Sequence, residues 1–333
     1  MIFRLGGRRA AVIRTLAVGA AMAWTSVSGQ ASAAGYPERT IKIIVPFTVG
    51  GATDIVGRVL AEEFGKELGS NAIVENREGA AGVIGVQAAM RAAPDGYTLL
   101  ISGNTLMTSH KTLYKNLPYD PLKNFDPVAR IAAGSHILVV RADSSYKDIK
   151  DLLAAARAKP ESITYGSGGN GTSVHLAGEM FQVTSGVKLM HVPYRGTSLA
   201  VIGMLAGDID LMFDTTASAI PRIKSGQIRA LGITSSKRSP DLPEVRTVAE
   251  QGLPNYEVLF WLGLYAPKGT PVDVLRRIED TAQKILAIER VKKRFADVGV
   301  APYFADRVDL GKQVAKETAE WADIISKVGL ELE

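Results

Sequence analysis

Apolar and polar positions follow two rhythms along this 333-residue chain. Short apolar runs rich in β-branched residues alternate with longer segments whose apolar residues stand three and four apart. The first pair is the most informative. Ile41, Ile43, Ile44 and Val45 form a buried-strand run that stops at Pro46, and Gly50-Gly51 follow. Ile55, Val59, Leu60 and Phe64 then carry helical spacing behind Thr53 and Asp54, which are expected to cap that helix. The same reading predicts strands at 71–75, 97–102, 136–141, 163–165, 189–194, 209–213, 228–234 and 258–266. Helices are predicted at 85–92, 149–158 and 174–183, and about 65 C-terminal residues read as helical. Residues 117–121, with Pro118 and Pro121, should be irregular, and 235–252 should be a surface connection. Alternation of this kind predicts an α/β fold with mostly parallel sheets.

The turn between the first strand and helix has chemical content. The first N–H groups of a helix lack internal partners, and the macrodipole adds partial positive charge there. Glycines let a ligand approach the backbone, so the arrangement suits a carboxylate or phosphate. The plan recurs where residues 166–173, GSGGNGTS, lie between a strand and a helix capped by Thr172 or Ser173. It recurs again at Asp214, Thr215 and Thr216, and more weakly at Ser102-Gly103-Asn104. Each turn also has a plain structural reading, since a cap alone stabilises a helix by about 1 kcal/mol. A carboxylate at Asp54 disfavours a bound anion unless it turns away or the ligand brings a cation. His175, one turn inside its helix, is within reach of a ligand.

Composition narrows the classes. The chain has no cysteine, which excludes disulfides, thiolate metal sites and a Cys nucleophile, and suits an oxidising compartment. Arg4, Arg8, Arg9 and Arg14 precede and overlap an apolar run ending near Ala23, and Ala31-Ser32-Ala33 reads as a cleavage site. Residues 1–33 are therefore expected to be a signal peptide. Ala10 and Ala11 follow Arg8-Arg9 where a twin-arginine signal carries a bulky residue, so ordinary secretion is expected. Those four arginines account for most of the net charge of +5, leaving about +1 elsewhere and no basic stripe for nucleic acid.

Enzyme signatures are sparse. Residues 166–171 satisfy GxGxxG, which keeps an exported nucleotide-dependent oxidoreductase as the alternative, but no acidic residue stands some 20 positions on. His110, His136, His175 and His191 lack metal-ligand spacing, and His136 and His191 read as structural. Met180, Met190, Met204 and Met212 read as core.

Eight motifs, in order, resemble the Bug-type solute receptors, the periplasmic substrate-binding proteins of tripartite tricarboxylate transporters. They are IKIIVPFTVGGATD from Ile41, VENREGAAGVIG from Val74, PDGYTLL from Pro94 and LYKNLPYDPLKNFDPVA from Leu113. HVPYRG from His191, LAGDIDLMFD from Leu205, RALGITSSKRSPDLPEV from Arg229 and WLGLYAPKGTP from Trp261 complete the set. The resemblance implies a type II periplasmic binding fold closing on a small carboxylate, with main-chain amides and water holding it. It also implies no cofactor and no catalysis. The ligand could be a di- or tricarboxylate, an amino acid or an aromatic acid, and the partners would be membrane permease subunits or a sensor.

On this reading lobe 1 comprises residues 35–135 plus 262–333, and lobe 2 residues 136–261, with strands 136–141 and 258–266 crossing between them. The candidate ligand-binding residues are Phe47, Thr48, Val49, Gly50, Gly51, Ala52, Thr53 and Asp54, with Asn104 nearby. Ser167, Gly168, Gly169, Asn170, Gly171, Thr172, Ser173, His175 and Asp214 complete the set from the other lobe. A periplasmic monomer is expected.

Overall fold

In the computed structural model, which describes residues 35–328, the first apolar run becomes β1 (Ile41–Val45) and the helically spaced segment becomes α1 (Ala52–Leu68). The expected signal peptide lies outside the described residues. The chain continues through β2 (Ala72–Asn76), α2 (Val83–Met90), β3 (Thr98–Gly103), α3 (Asn104–Met107), α4 (His110–Leu113) and α5 (Pro121–Asn124). Then come β4 (Phe125–Arg141), α6 (Ile149–Ala158), β5 (Thr164–Ser167), α7 (Ser173–Ser185), β6 (Met190–Pro193) and α8 (Thr197–Ala206). β7 (Leu211–Thr215), α9 (Thr216–Lys224), β8 (Ile228–Ile233) and β9 (Leu259–Pro267) follow. The described chain closes with α10 (Val272–Leu286), α11 (Glu289–Ala296), β10 (Ala301–Ala305) and α12 (Arg307–Val328).

One strand organises the molecule. β4 is 17 residues long; its first part pairs with β9 and β10, and its last six residues pair with β7 and β8. The first sheet adds β3 beside β9, then β1 and β2; the second adds β5 and β6 beyond β7. Pairing is mixed. β2-β1-β3 and β7-β5-β6 are parallel, whereas every pair made by β4 or β9 is antiparallel. The second crossing runs through Val258, whose N–H donates to Thr234 O at 2.9 Å before β9 begins. Leu259, Phe260 and Trp261 pair with Ser135, Gly134 and Ala133, so strand pairing carries these three residues with the first sheet.

Both faces of each sheet are covered. On the first sheet, Val56, Val59, Leu60 and Phe64 of α1 meet Ile278 and Ile285 of α10 and the β1, β3 and β9 strands. Its other face is covered by α2, α3 and α12. On the second, Leu152, Ala177 and Phe181 cover one face and Ala200, Val201 and Met204 the other. Burying each Leu-sized side chain stabilises by about 1.5–3 kcal/mol. A fifth cluster joins the halves: Leu113 of α4 and Trp321, Ile324 and Ile325 of α12 pack with Leu176 of α7.

Three expectations change. The crossing strand begins at Phe125, not at 136, because its first half holds Pro127, Gly134 and several alanines and becomes a strand only by pairing with β9. The C-terminal region is interrupted by β10, which pairs with Ala132 and Ala133 of β4. Met190 is 51% exposed on the edge strand β6, while Met204 and Met212 are buried as expected.

Candidate functional site

β1 and β3 are parallel neighbours, so the turns that leave them, at residues 46–51 and at Gly103-Asn104, share one edge of the first sheet. β5 and β7 are likewise parallel neighbours, and the turns before α7 and α9 share one edge of the second. The sequence-predicted loops thus group in two pairs at carboxyl ends of strands, where α/β sheets bind ligands.

In the first loop, Thr48, Val49, Gly50 and Gly51 are exposed, and Gly50 takes φ +89°, a left-handed conformation suited to glycine. Gly51 is the N-cap of α1, and no side chain caps this helix. The expected cap role of Thr53 and Asp54 is therefore corrected. Asp54 is only 1% exposed; Oδ2 accepts from Gly50 N at 2.8 Å and Arg58 Nε at 3.0 Å, and Oδ1 accepts from Asn76 Nδ2 at 2.8 Å. Asn76 also donates to Phe47 O at 3.0 Å. Asp54 is thus a knot that ties the loop to α1 and β2. Burial pushes its carboxyl up, but the bonds from Arg58, Gly50 and Asn76 outweigh that and hold it below the usual range. The ionised form faces three donors inside the protein. We therefore expect Asp54→Asn to destabilise the protein by about 1.5–3 kcal/mol, the range for charge-assisted bonds, whatever the ligand. A urea titration measures this, and an unchanged midpoint would contradict it.

The second loop is held from within. Ser167 Oγ lies 2.7 Å from His191 Nε2 and 3.1 Å from Gly169 N. Gly171, at φ +75°, donates its N–H to His175 Nδ1 at 3.1 Å, and Thr172 caps α7 as predicted, its Oγ1 accepting from His175 N. His175 is 1% exposed and stacks on His191 with ring centroids 4.0 Å apart. Burial, reinforced by the neighbouring His191, lowers His175 to about 3, and burial lowers His191 to about 4. His175 therefore braces the loop as a neutral acceptor. With Gly169 and Gly171 N–H engaged, the loop has fewer amides to offer a dinucleotide pyrophosphate than its GxGxxG pattern suggests. The first-turn amides of Ser173 and Val174 remain at the loop's end, and Asn170 is exposed beside them.

In the third turn Asp214 is fully buried; Oδ1 accepts from Thr215 N at 2.8 Å and Oδ2 from Ser218 Oγ at 2.6 Å. Burial raises its pKa despite these bonds and the Arg222 charge. Thr215, rather than Asp214, caps α9. Asn104 donates Nδ2 to Leu259 O at 3.0 Å.

Sequence reasoning missed the bracing residues Arg58, Asn76 and Ser218, and read His191 as structural without its partner Ser167. It also missed His110, which hydrogen-bonds the Gly171 backbone from α4 and is lowered to about 4 by burial. Asn76, His191 and His110 act on partners distant in sequence and carry no local signal, whereas Arg58 and Ser218 stand four residues after Asp54 and Asp214, a helical spacing that could have flagged them. Among the described residues no cluster of His, Cys, Asp or Glu could hold a metal, and no helix is long and apolar enough to cross a membrane.

Residues 56–330 match the profile of the tripartite tricarboxylate transporter family receptor. The chain is 33% identical to Protein BugT of Bordetella pertussis over 96% of this chain and 98% of that one. A solved R. palustris protein with adipate has TM-score 0.80 and 30% identity, covering 89% of this chain and 99% of that one. MatC of Rhodopseudomonas palustris with bound malate has TM-score 0.76 and 30% identity, covering 87% and 100%. The fold is that of these relatives and of the solved periplasmic binding protein BugD (TM-score 0.77, 35% identity, covering 90% of this chain and 100% of that one): α/β, with two lobes joined by crossing strands.

Proposed function

Given that the chain belongs to the tripartite tricarboxylate transporter receptor family, we propose that it is a periplasmic receptor that binds a small organic dicarboxylate between its lobes without altering it. The lobes would be residues 35–135 with 259–328, and residues 136–258, divided where strand pairing changes sheet. The observation that carries this reading is the pairing of loops. Two turn–helix units at one edge of each sheet present backbone amides, and neither glycine loop contains Arg or Lys. Amides and hydroxyls would therefore grip one carboxylate from each side. Relatives solved with adipate and malate fit a two-carboxylate ligand. Asp54 does not argue for an amino acid, since its carboxylate is already satisfied by Gly50, Arg58 and Asn76.

Hinge closure is stabilised only by contacts the ligand makes better in the closed state. The bound acid would then pass to membrane permease subunits. A thermal-shift screen of the purified protein against C4–C6 dicarboxylates, amino acids and aromatic acids tests the reading. A dicarboxylate at 100 times its Kd should add about 2.7 kcal/mol of stability. Failure of every dicarboxylate to shift the transition, or mass-spectrometric conversion of the bound acid, would overturn it.

A further inference from the structure

A cavity of about 240 Å³ lies where the start of β9 meets α12, with Met180 of α7 on its other wall. Its polar lining is unlike that of the glycine loops. Asn104 lines it, is 4% exposed, and has an Oδ1 with no hydrogen-bond partner among the described residues. The orientation of this amide is settled by Leu259 O, which accepts from Nδ2 at 3.0 Å; a flipped amide would set two oxygens against each other. The atom left over is an acceptor. The same cavity is lined by Glu317, whose carboxylate accepts from Trp261 Nε1 at 2.9 and 3.0 Å and from Gln313 Nε2 at 2.7 Å. An ionised carboxylate offers about four acceptor positions, so Glu317 retains capacity for a further donor. Glu257 and Glu320 also line the cavity; Lys316, the one cation among the described residues that line it, is paired to Glu320 at 2.8 Å. Met180, Trp261 and Trp321 supply apolar and aromatic walls.

From this lining we propose that the cavity is a second binding site, which takes a small primary ammonium compound with an apolar body. The ammonium donates to Asn104 Oδ1 and Glu317, with the aromatic walls favouring the cation as well as the body. A carboxylate is repelled there by the same groups. The volume, below the roughly 300 Å³ of the smallest common ligand pockets, limits the occupant to about one ring or a short chain. An occupant touches both α12, packed on the first sheet, and α7, packed on the second, so its affinity depends on how the two halves are set. The inference does not rest on the carboxylate reading.

Benzylamine, protonated at pH 7.5, is the probe, titrated calorimetrically into the full chain with tryptophan fluorescence read in parallel. Saturable binding with a fluorescence change is expected, at least tenfold weaker for the isosteric neutral benzyl alcohol. Glu317→Gln, which removes the charge, and Met180→Trp, which fills the cavity, should each weaken benzylamine at least tenfold. Because Met180 is only half-buried, the second variant remains informative if the first does not fold. Gly51→Leu should bind benzylamine normally, which separates failure here from failure of the carboxylate site. No saturable binding, equal affinity for benzyl alcohol, or unchanged affinity in a folded variant would each overturn the proposal and leave Asn104 Oδ1 bonded to water.

Discussion

Replacing Gly51 with leucine is expected to weaken carboxylate binding more than 100-fold while the protein keeps its melting temperature. The structure makes this an unusually clean substitution. Gly51 has φ −75° and ψ 166°, an extended conformation open to any residue. A Cβ there meets only Thr48 O, at an ordinary 3.8 Å. The fold therefore has no reason to resist the side chain. The same side chain would stand at the N-cap of α1, over the amides of Ala52 and Thr53 that a carboxylate must reach. Loss of two charge-assisted bonds at about 1.5–3 kcal/mol each exceeds the roughly 2.8 kcal/mol of a 100-fold change. Gly50 would be a poor choice, because its φ of +89° would strain any replacement and confuse stability with binding. Calorimetry and a melting curve on the same sample decide the matter. Undiminished affinity in a folded Gly51→Leu protein would remove the first loop from the site.

Acid should unfold this protein early. All four histidines are lowered mainly by burial: His110, His136 and His191 to about 4, and His175 to about 3, from an ordinary 6.5. The native state keeps these rings neutral, while the unfolded chain takes up a proton on each as pH falls below 6.5. Stability is thus intact above that value and is lost as pH drops, levelling only near the folded pKa values. Each group removes up to about 1.4 kcal/mol per pH unit across the window, with His191 discounted because it is partly exposed. Asp214, Glu179, Glu279 and Glu317 work the other way, since burial raises their pKa and the folded state binds protons first. The histidine displacements are the larger, so the sum is a loss on the order of 5 kcal/mol between pH 7 and pH 5. Urea titrations at the two pH values test this. Equal midpoints would mean that the histidines are protonated in the folded protein.

Much of the fold was legible from local pattern. The β1–α1 unit, the strand predicted at 163–165 (observed as Thr164–Ser167) and the Thr172 cap all follow from β-branched runs, glycines and capping residues close together in the chain. The site was legible to the same depth. The loops could be located, since glycine before an amphipathic helix is a local signal, but not the role of each side chain. Asp54 shows why. Its position three residues into the helix suggests a cap, yet Asn76 on the neighbouring strand and Arg58 one turn on draw its carboxylate inward.

By itself, then, the sequence determined the alternation of strands and helices, the glycine turns that follow the strands, and the family through motifs spread along the chain. These depend on residues within a few positions of one another. Tertiary structure alone decided that β4 runs on through Pro127 and Gly134, that β10 interrupts the C-terminal helices, and that His110, His136 and His175 lie buried and His191 half-buried, with the pKa of each lowered. It also decided that the Asn104 Oδ1 acceptor has no hydrogen-bond partner among the described residues. The physical reason is the same in each case: strand pairing, desolvation and hydrogen-bond partnership are set by which distant segments meet, and local periodicity carries no record of that.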